Sequence, residues 1–237
     1  MKETYIRFMA PVTPQTSDQL IRLIDGKIIS GYDKIHLMIS SPGGSVFHGL
    51  SLYNFLYGIP LEIDTYNFGS VDSIGVVLFC AGKNRYSVPN ARFLMHGVSL
   101  NLQGSLTLDE KMIDEQLKSV QIDQSNIAKI IAFTTGKKEE EIKNAMHART
   151  ALSPDEAKEY GLVTEIKNTL MPINAEFHSI GEFDFQQMQM PPIMFPQFPG
   201  IQQTSPFPFM GQKVTMPKNE NYTSIFDRGF SFTNSYS

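Results

Sequence analysis

The stretch KIHLMISSPGGSVFHGLSLYNFL, residues 34–56, decides the fold of this chain. Its first part, Lys34 to Ile39, is short and rich in β-favouring side chains, and Ser41-Pro42-Gly43-Gly44 follows at once with residues typical of a tight turn. From Val46 to Leu56 the apolar residues recur at helical spacing. The stretch therefore predicts a strand, a sharp turn and a helix.

The same unit recurs on both sides of this stretch. Apolar spacing predicts strands at Thr4–Met9, Leu61–Tyr66, Arg92–Met95 and Leu162–Ile166, and helices at Ser17–Ile29, at Ile74–Cys80 after a turn at Gly69-Ser70, and at Leu108–Ala132. Capping boxes at Thr107 with Glu110 and at Ser153 with Glu156 predict the starts of the long helix and of a short last helix. Alternating strands and helices indicate an α/β fold with parallel strands.

Composition excludes several classes of function. Of 237 residues, 20 are Lys or Arg and 24 are Asp or Glu, so the net charge of −4 offers no basic surface for nucleic acid. No apolar run approaches the roughly 20 residues of a membrane helix, and the amino terminus lacks a signal-peptide pattern, so we expect a cytoplasmic protein. The single cysteine, Cys80, permits neither an intrachain disulfide nor a multi-cysteine metal cage, and no cofactor is expected.

The composition changes near residue 168. Between Gly181 and Gly211 there is no Lys or Arg, and prolines alternate with Phe, Met and Gln. Each proline removes a backbone donor and restricts its predecessor, which disfavours helices and central strands. We predict a folded domain over residues 1–168 and an extended tail over residues 169–237.

Three groups of residues could carry chemistry. The Gly43-Gly44 turn would leave amides free to bind an anion or an oxyanion, although it lacks the lysine of a nucleotide-binding loop. Ser73 precedes an apolar helix, where it is either a helix cap or an exposed nucleophile. His96 directly follows a strand, and a lone histidine there is more often structural than catalytic. Together they would place a nucleophile, a base and oxyanion donors at one sheet edge.

At these residues the chain resembles the proteolytic subunit of Clp protease (ClpP). The matching motifs, found in the family's order between residues 34 and 166, are Ser41-Pro42-Gly43-Gly44, Gly69 with Ser73-Ile74-Gly75, Pro89-Asn90-Ala91-Arg92, Met95-His96, Thr135-Gly136 and Glu159-Tyr160-Gly161-Leu162-Val163. The resemblance implies the ClpP/crotonase fold of stacked β-α units with a long protruding helix. It also implies a homo-oligomer of stacked rings that degrades polypeptides delivered by an ATP-driven (AAA+) unfoldase.

Carried over residue by residue, the resemblance implies that Ser73 is the nucleophile of a serine peptidase and that His96 is its base. The oxyanion amides fall on Ile74 and on the turn of Gly43 and Gly44. The family's third residue, an aspartate, does not carry over, because Arg149 stands at its position. A guanidinium cannot accept the imidazole proton, so we expect Arg149→Asp to raise turnover if no other acid substitutes.

Other functions remain open at this point. A phage-type processing peptidase would use the same residues, and Arg149 favours a non-catalytic ClpP-like subunit. A crotonase-like acyl-CoA enzyme would share the Gly-Gly turn but leave Ser73 and His96 without a joint role. In a Ser-Lys peptidase the base would be Lys83, which follows the predicted helix. The first predicted strand begins at Thr4, which leaves little room for the axial loop that family members use to meet an unfoldase.

Overall fold

The computed structural model describes residues 1–99 and 109–181 as one mixed sheet flanked by helices. The strands are β1 (Glu3–Met9), β2 (Lys34–Ser41), β3 (Glu62–Asp72), β4 (Asn84–Ser87), β5 (Arg92–Leu94), β6 (Ala151–Leu152), β7 (Glu165–Ile166) and β8 (Phe177–Gly181). The helices are α1 (Pro14–Ile29), α2 (Val46–Gly58), α3 (Ile74–Phe79), α4 (Glu110–Thr135), α5 (Glu139–His147) and α6 (Pro154–Glu159). The α/β class is therefore confirmed, and no described helix is long and apolar enough to cross a membrane.

The sheet is parallel at its centre. Its strand order is β6-β5-β3-β2-β1-β8. Strand β4 also pairs with β3, and β7 pairs with β4. Of the pairs among the described strands, only β5–β6 is antiparallel. One face of β2 places Ile35, Leu37 and Ile39 in the main core, where they pack with apolar residues of the helices. The other face carries Met38, which clusters with Tyr5 and Tyr66. Both faces of β2 are buried, as in a central parallel strand, and the buried polar residue His36 on the second face is hydrogen-bonded to the Tyr66 hydroxyl.

Strand β3 is longer than its sequence suggests, and the turn predicted at Gly69-Ser70 is wrong. The strand continues to Asp72, pairing with β4 through residues 64–67 and with β5 through residues 70–72. Between these halves its register with β2 shifts, so that the step from Ile39 to Ser41 matches the step from Asn67 to Val71. The turn-type residues therefore mark a strand irregularity, which carries the end of β3 past β4 to reach β5.

Helices α1, α2, α3, α4 and α6 lie close to their predicted bounds, whereas α5 was not predicted. Helix α4 starts after Asp109, whose side chain accepts from the Met112 N–H, whereas Thr107 and Leu108 of the predicted start lie outside the described residues. Helix α6 begins with the predicted capping box, in which Ser153 Oγ accepts from Glu156 N and the Glu156 carboxylate accepts from Ser153 N. The capping residues were sufficient to predict these helix starts, because each start is fixed by residues within one helical turn.

The sheet continues beyond the compositional change at residue 168. Strand β8 pairs in parallel with β1 from Tyr5 opposite Phe177 to Met9 opposite Gly181. Just before it, Glu176 contacts Lys27 and Tyr32, which fastens this segment to α1 and the turn after it. Residues 182–237 lie outside the described residues, so the extended tail and the two-part division of the chain stay predictions.

Candidate active site

The Gly43-Gly44 turn connects β2 to α2 and is held by Val12, which lies between β1 and α1. Val12 N donates to Gly43 O over 2.7 Å, and Ser45 N donates to Val12 O over 2.9 Å. Both glycines have positive φ, +89° and +143°. A Cβ on Gly44 would lie 2.3 Å from Val12 O, and one on Gly43 would lie 2.6 Å from Ser73 Cβ. The close approach of this turn to Val12 and Ser73 thus requires glycine at both positions.

Ser73 stands between the end of β3 and the buried helix α3 in an unfavourable backbone conformation. Its φ is +58° and its ψ is −127°, a region that residues with a side chain rarely adopt. The conformation is held by a 2.7 Å hydrogen bond from Ser73 N to Leu94 O and by the complete burial of α3. The Ser73 side chain makes no capping hydrogen bond to α3, so the interpretation of Ser73 as a simple helix cap is wrong. Backbone strain of this kind is typical of functional sites.

His96 lies at the end of β5 and shares a cavity with Ser73. Met95 directly precedes His96, and its N–H donates to Thr150 O over 2.9 Å, which extends the β5–β6 pairing. The His96 ring is half-buried, and its Nδ1 lies 2.8 Å from Gly97 O. A cavity of about 230 Å³ is lined by Ser73 and His96 together with Gly44 and Ile74, and we call it the Ser73 cavity. The structure therefore brings Ser73 together with Gly44, 29 positions earlier in the sequence, and with His96, 23 positions later.

Two backbone amides at the Ser73 cavity are available to bind an oxygen anion. The Gly44 N–H has no acceptor among the described residues. Ile74 is the first residue of α3, so its N–H has no intrahelical acceptor. The Gly43 N–H, by contrast, donates to Ser41 Oγ over 3.2 Å. Of the three predicted oxyanion residues, Gly44 and Ile74 thus offer open donors, whereas Gly43 supplies the turn.

Comparison with known proteins decides the family. A sequence model described as Clp protease matches residues 1–169. The chain belongs to the Clp protease family. A curated relative, the ATP-dependent Clp protease proteolytic subunit of Bdellovibrio bacteriovorus, is 30% identical over 172 residues, covering 70% of this chain and 79% of the relative. A ClpP1 mutant from Listeria monocytogenes, 24% identical, matches with a TM-score of 0.63 over 70% of this chain and 91% of that structure, which supports the fold.

Arg149 is expected from the sequence to stand at the position of the family's aspartate. Arg149 is exposed, follows α5 with a positive φ of 55°, and does not line the Ser73 cavity. It forms no ion pair with any residue of the described ranges. The chain next to it is fixed, because Thr150 O accepts from Met95 N. The backbone next to Arg149 is thus tied to the backbone next to His96, while His96 Nδ1 contacts Gly97 O.

Asp72 is a functional neighbour that sequence reasoning missed. This buried carboxylate directly precedes Ser73, accepts from Ser70 Oγ over 2.7 Å, and pairs with Arg92 Nη2 over 2.8 Å. Arg92 and Ser70 are register partners of β5 and β3. The pair therefore ties the strand that ends at Ser73 to the strand that ends at His96. The one sequence feature that pointed to this pair was Arg92, which belongs to a motif matching the Clp protease family. Its partner, Asp72, could be identified only from the register between β3 and β5.

One part of the lining of the Ser73 cavity is an apolar wall. It is formed by one residue of α2, one of the segment after β5, two of α4 and one of α5: Val46, Val98, Ile127, Ile131 and Met146. Such a wall suits an apolar side chain of a bound ligand.

The thiol of Cys80, the single cysteine, is another side chain that could act as a nucleophile. Cys80 is buried in the core, and burial raises the pKa of its thiol to about 11. A neutral buried thiol is a poor nucleophile, and Cys80 does not line the Ser73 cavity.

Proposed function

We propose that this protein is a serine peptidase that hydrolyses peptide bonds through an acyl-enzyme on Ser73. The proposal is carried by one observation: Ser73, His96 and the open amides of Gly44 and Ile74 line the same cavity. A nucleophile, a base and two oxyanion donors are the groups that acyl transfer requires. Membership of the Clp protease family supports the same assignment.

The reaction follows from this arrangement. Ser73 Oγ attacks the substrate carbonyl carbon while its proton passes to His96 Nε2, forming a tetrahedral oxyanion. The oxyanion accepts hydrogen bonds from Gly44 N–H and Ile74 N–H. The C–N bond then breaks, the leaving amine takes the proton from His96, and an ester remains on Ser73. Water, deprotonated by His96, hydrolyses the ester, and Ser73 regains its proton.

The direct test is reaction of the purified protein with a fluorophosphonate, followed by mapping of the labelled residue. We expect the label on Ser73, and Ser73→Ala should lose both the label and peptide hydrolysis while keeping its assembly state. Ser99→Ala is the matched control, since Ser99 is the other serine that lines the described part of the cavity. It should retain the label. A label that persists in Ser73→Ala would refute the assignment.

A second candidate, a non-catalytic subunit of the same fold, is favoured by Arg149. In that case no acid orients His96 and the cavity would only bind peptide. This candidate predicts no label on Ser73 in protein that is folded and assembled, so the same experiment separates the two.

We further propose that the protein works as a homo-oligomer, in stacked rings, in the cytoplasm. The first half of α4 leaves large apolar side chains 43–53% exposed, namely Met112, Ile113, Leu117 and Ile122. An apolar helix surface of this kind is typical of contacts between subunits. The Bdellovibrio relative is described as ATP-dependent, which supports an AAA+ unfoldase as the partner that supplies polypeptide substrates. Light scattering at micromolar concentration tests assembly, and a monomer would contradict it.

A further inference from the structure

The proposed base, His96, has a hydrogen-bond partner that its sequence does not suggest. Its Nδ1 lies 2.8 Å from the backbone carbonyl oxygen of Gly97. A carbonyl oxygen can only accept, so this hydrogen bond requires the proton of the neutral ring to be on Nδ1. The other nitrogen, Nε2, is then unprotonated. This is the tautomer that a general base needs in order to take a proton from a serine hydroxyl.

In a serine triad a carboxylate at Nδ1 selects this tautomer, and its replacement by an amide costs on the order of 10⁴ in turnover because the wrong tautomer forms. No carboxylate contacts His96 within residues 1–99 and 109–181. Arg149, at the position of the expected acid, is exposed and does not line the Ser73 cavity. The Nδ1 side of the ring is occupied by the Gly97 carbonyl instead.

The backbone around this carbonyl is well held. Met95, two residues before Gly97, is 2% exposed, and its N–H donates to Thr150 O. One residue earlier, Leu94 O accepts from Ser73 N over 2.7 Å. The chain that carries His96 and Gly97 is thus fixed on one side to Ser73 and on the other to the segment after Arg149. A neighbouring backbone carbonyl is a known way to fix the orientation and tautomer of a histidine ring.

We propose that the backbone carbonyl of Gly97 is the positioning group of His96, fixing the Nδ1-protonated tautomer in place of a side-chain acid. The inference rests on the proposed function, in which His96 is the base. Gly97 does not touch the reacting atoms, and it acts only through His96. It supplies direction and tautomer but no full negative charge, so Nε2 is ready to accept a proton while the imidazolium that forms is stabilised less than in a triad.

The tautomer can be observed directly. Protein labelled with ¹⁵N in its five histidines is recorded in a long-range ¹H–¹⁵N experiment above the titration range of histidine, and His96→Gln identifies the His96 signals by their loss. We expect a pyrrole-type shift at Nδ1 and a pyridine-type shift at Nε2. Protonation at Nε2 would overturn the proposal.

A backbone change tests the functional consequence. Replacing Val98 by its α-hydroxy acid converts the Gly97 carbonyl from an amide to an ester, which is a weaker acceptor. We expect kcat for a small peptide to fall about tenfold with KM nearly unchanged, the size expected when one neutral hydrogen bond to the base is weakened. The Nδ1-protonated fraction should fall as well.

The matched control replaces Asn90 by its α-hydroxy acid, which weakens the carbonyl of Pro89 in the exposed turn before β5, away from the residues that line the Ser73 cavity. That carbonyl accepts no hydrogen bond within the described residues, so kcat and tautomer should stay at the parent values. Equal losses in both esters, or no loss in the Val98 ester, would overturn the positioning role. If the fluorophosphonate fails to label Ser73, the proposed function fails. If Ser73 is labelled but His96 carries its proton on Nε2, only the role of Gly97 fails.

Discussion

At their amino ends, strands β2 and β3 carry charged side chains that pair with one another. Their carboxyl ends, by contrast, lead into a strained serine and into amides that have no acceptor among the described residues. Lys34 Nζ lies 2.7 Å from both Glu62 and Asp64, and Lys83 Nζ lies 2.6 Å from Glu62. At the other end Ser73 has a φ of +58° and the Gly44 N–H has no acceptor in the described chain. The difference indicates that one end of the sheet stabilises the fold while the other end is kept open for a ligand.

The largest expected effect is a loss of turnover in Gly44→Ala, which disturbs the carboxyl end of β2. In Gly44→Ala the new Cβ would lie 2.3 Å from Val12 O, at a φ of +143°. The turn must shift, which displaces the Gly44 N–H from the oxyanion, and losing one such donor costs roughly 100- to 1,000-fold in turnover. Steady-state hydrolysis of a small peptide measures this loss.

Gly75→Ala is the matched control for that variant. Its Cβ would meet Ser41 at 3.5 Å, an ordinary contact, and Gly75 lies in α3 directly after Ile74. We expect normal folding and much smaller changes in turnover. Parent-like turnover in Gly44→Ala would show that this amide does not bind the oxyanion.

At the paired end, Lys34→Met should lower stability rather than activity. Removing Lys34 leaves Asp64, whose side chain is 3% exposed, without its cationic partner. Breaking a buried ion pair in this way costs about 3 kcal/mol of the free energy of unfolding. Urea unfolding at a fixed protomer concentration measures the change, while hydrolysis per folded molecule should be retained.

Lys83→Met is the control for Lys34→Met, because Lys83 belongs to the same group of charged side chains. The Lys83 side chain is 70% exposed although it contacts the same Glu62, and exposed pairs contribute only about 0–1 kcal/mol. If both lysine variants unfold at the same urea concentration, the paired end does not stabilise the fold through its buried charges.

A smaller effect is expected from Arg149→Asp. The sequence alone predicts a gain in turnover, because an acid would replace a guanidinium at the family's aspartate position. The structure reduces that expectation, since Gly97 O already occupies His96 Nδ1 and Arg149 lies outside the cavity. We expect kcat to change less than about tenfold, far below the effect of supplying a missing tautomer. A gain approaching the full triad effect, in protein of the same assembly state, would contradict this.

The smallest effect concerns acid stability at the paired end. Hydrogen bonds from Lys34 and then from Lys83 lower the pKa of Glu62 to about 2, from 4.5. A depressed folded-state pKa contributes stability above pH 4.5, and this stability is lost as the pH falls toward 2. Glu62→Gln should therefore have a flatter stability profile over this range. A profile parallel to that of the parent would show that Glu62 does not contribute to acid sensitivity.

The sequence was sufficient for the parts of the fold that are local. The strand, turn and helix around Gly43-Gly44 are each specified within a few residues. The meeting of Ser73 with His96 also followed from sequence, because the carboxyl ends of neighbouring parallel strands lie at one edge of the sheet. Both predictions needed only periodicity and a topological rule.

Other features depend on register or on the backbone, which residue types do not reveal. Strand β4 (Asn84–Ser87) was missed because its polar residues resemble a loop, although Asn84 Nδ2 donates to the buried Asp64 over 2.8 Å. The irregularity in β3 was mistaken for a turn because Gly69 and Ser70 are turn-type residues. The Gly97 carbonyl could not be found from sequence, since every residue has one and only the fold directs this one to His96.

In the proposed function, the carboxyl end of β2 and β3 is a complete acyl-transfer site. The most direct measurement is a crystal structure of the protein with a peptide boronic acid, which forms a tetrahedral adduct on a reactive serine. We predict a bond from boron to Ser73 Oγ and one boronate oxygen within about 2.7–3.1 Å of both Gly44 N and Ile74 N. A boronate bound elsewhere, or bound to Ser73 with its oxygens directed away from both amides, would contradict the account.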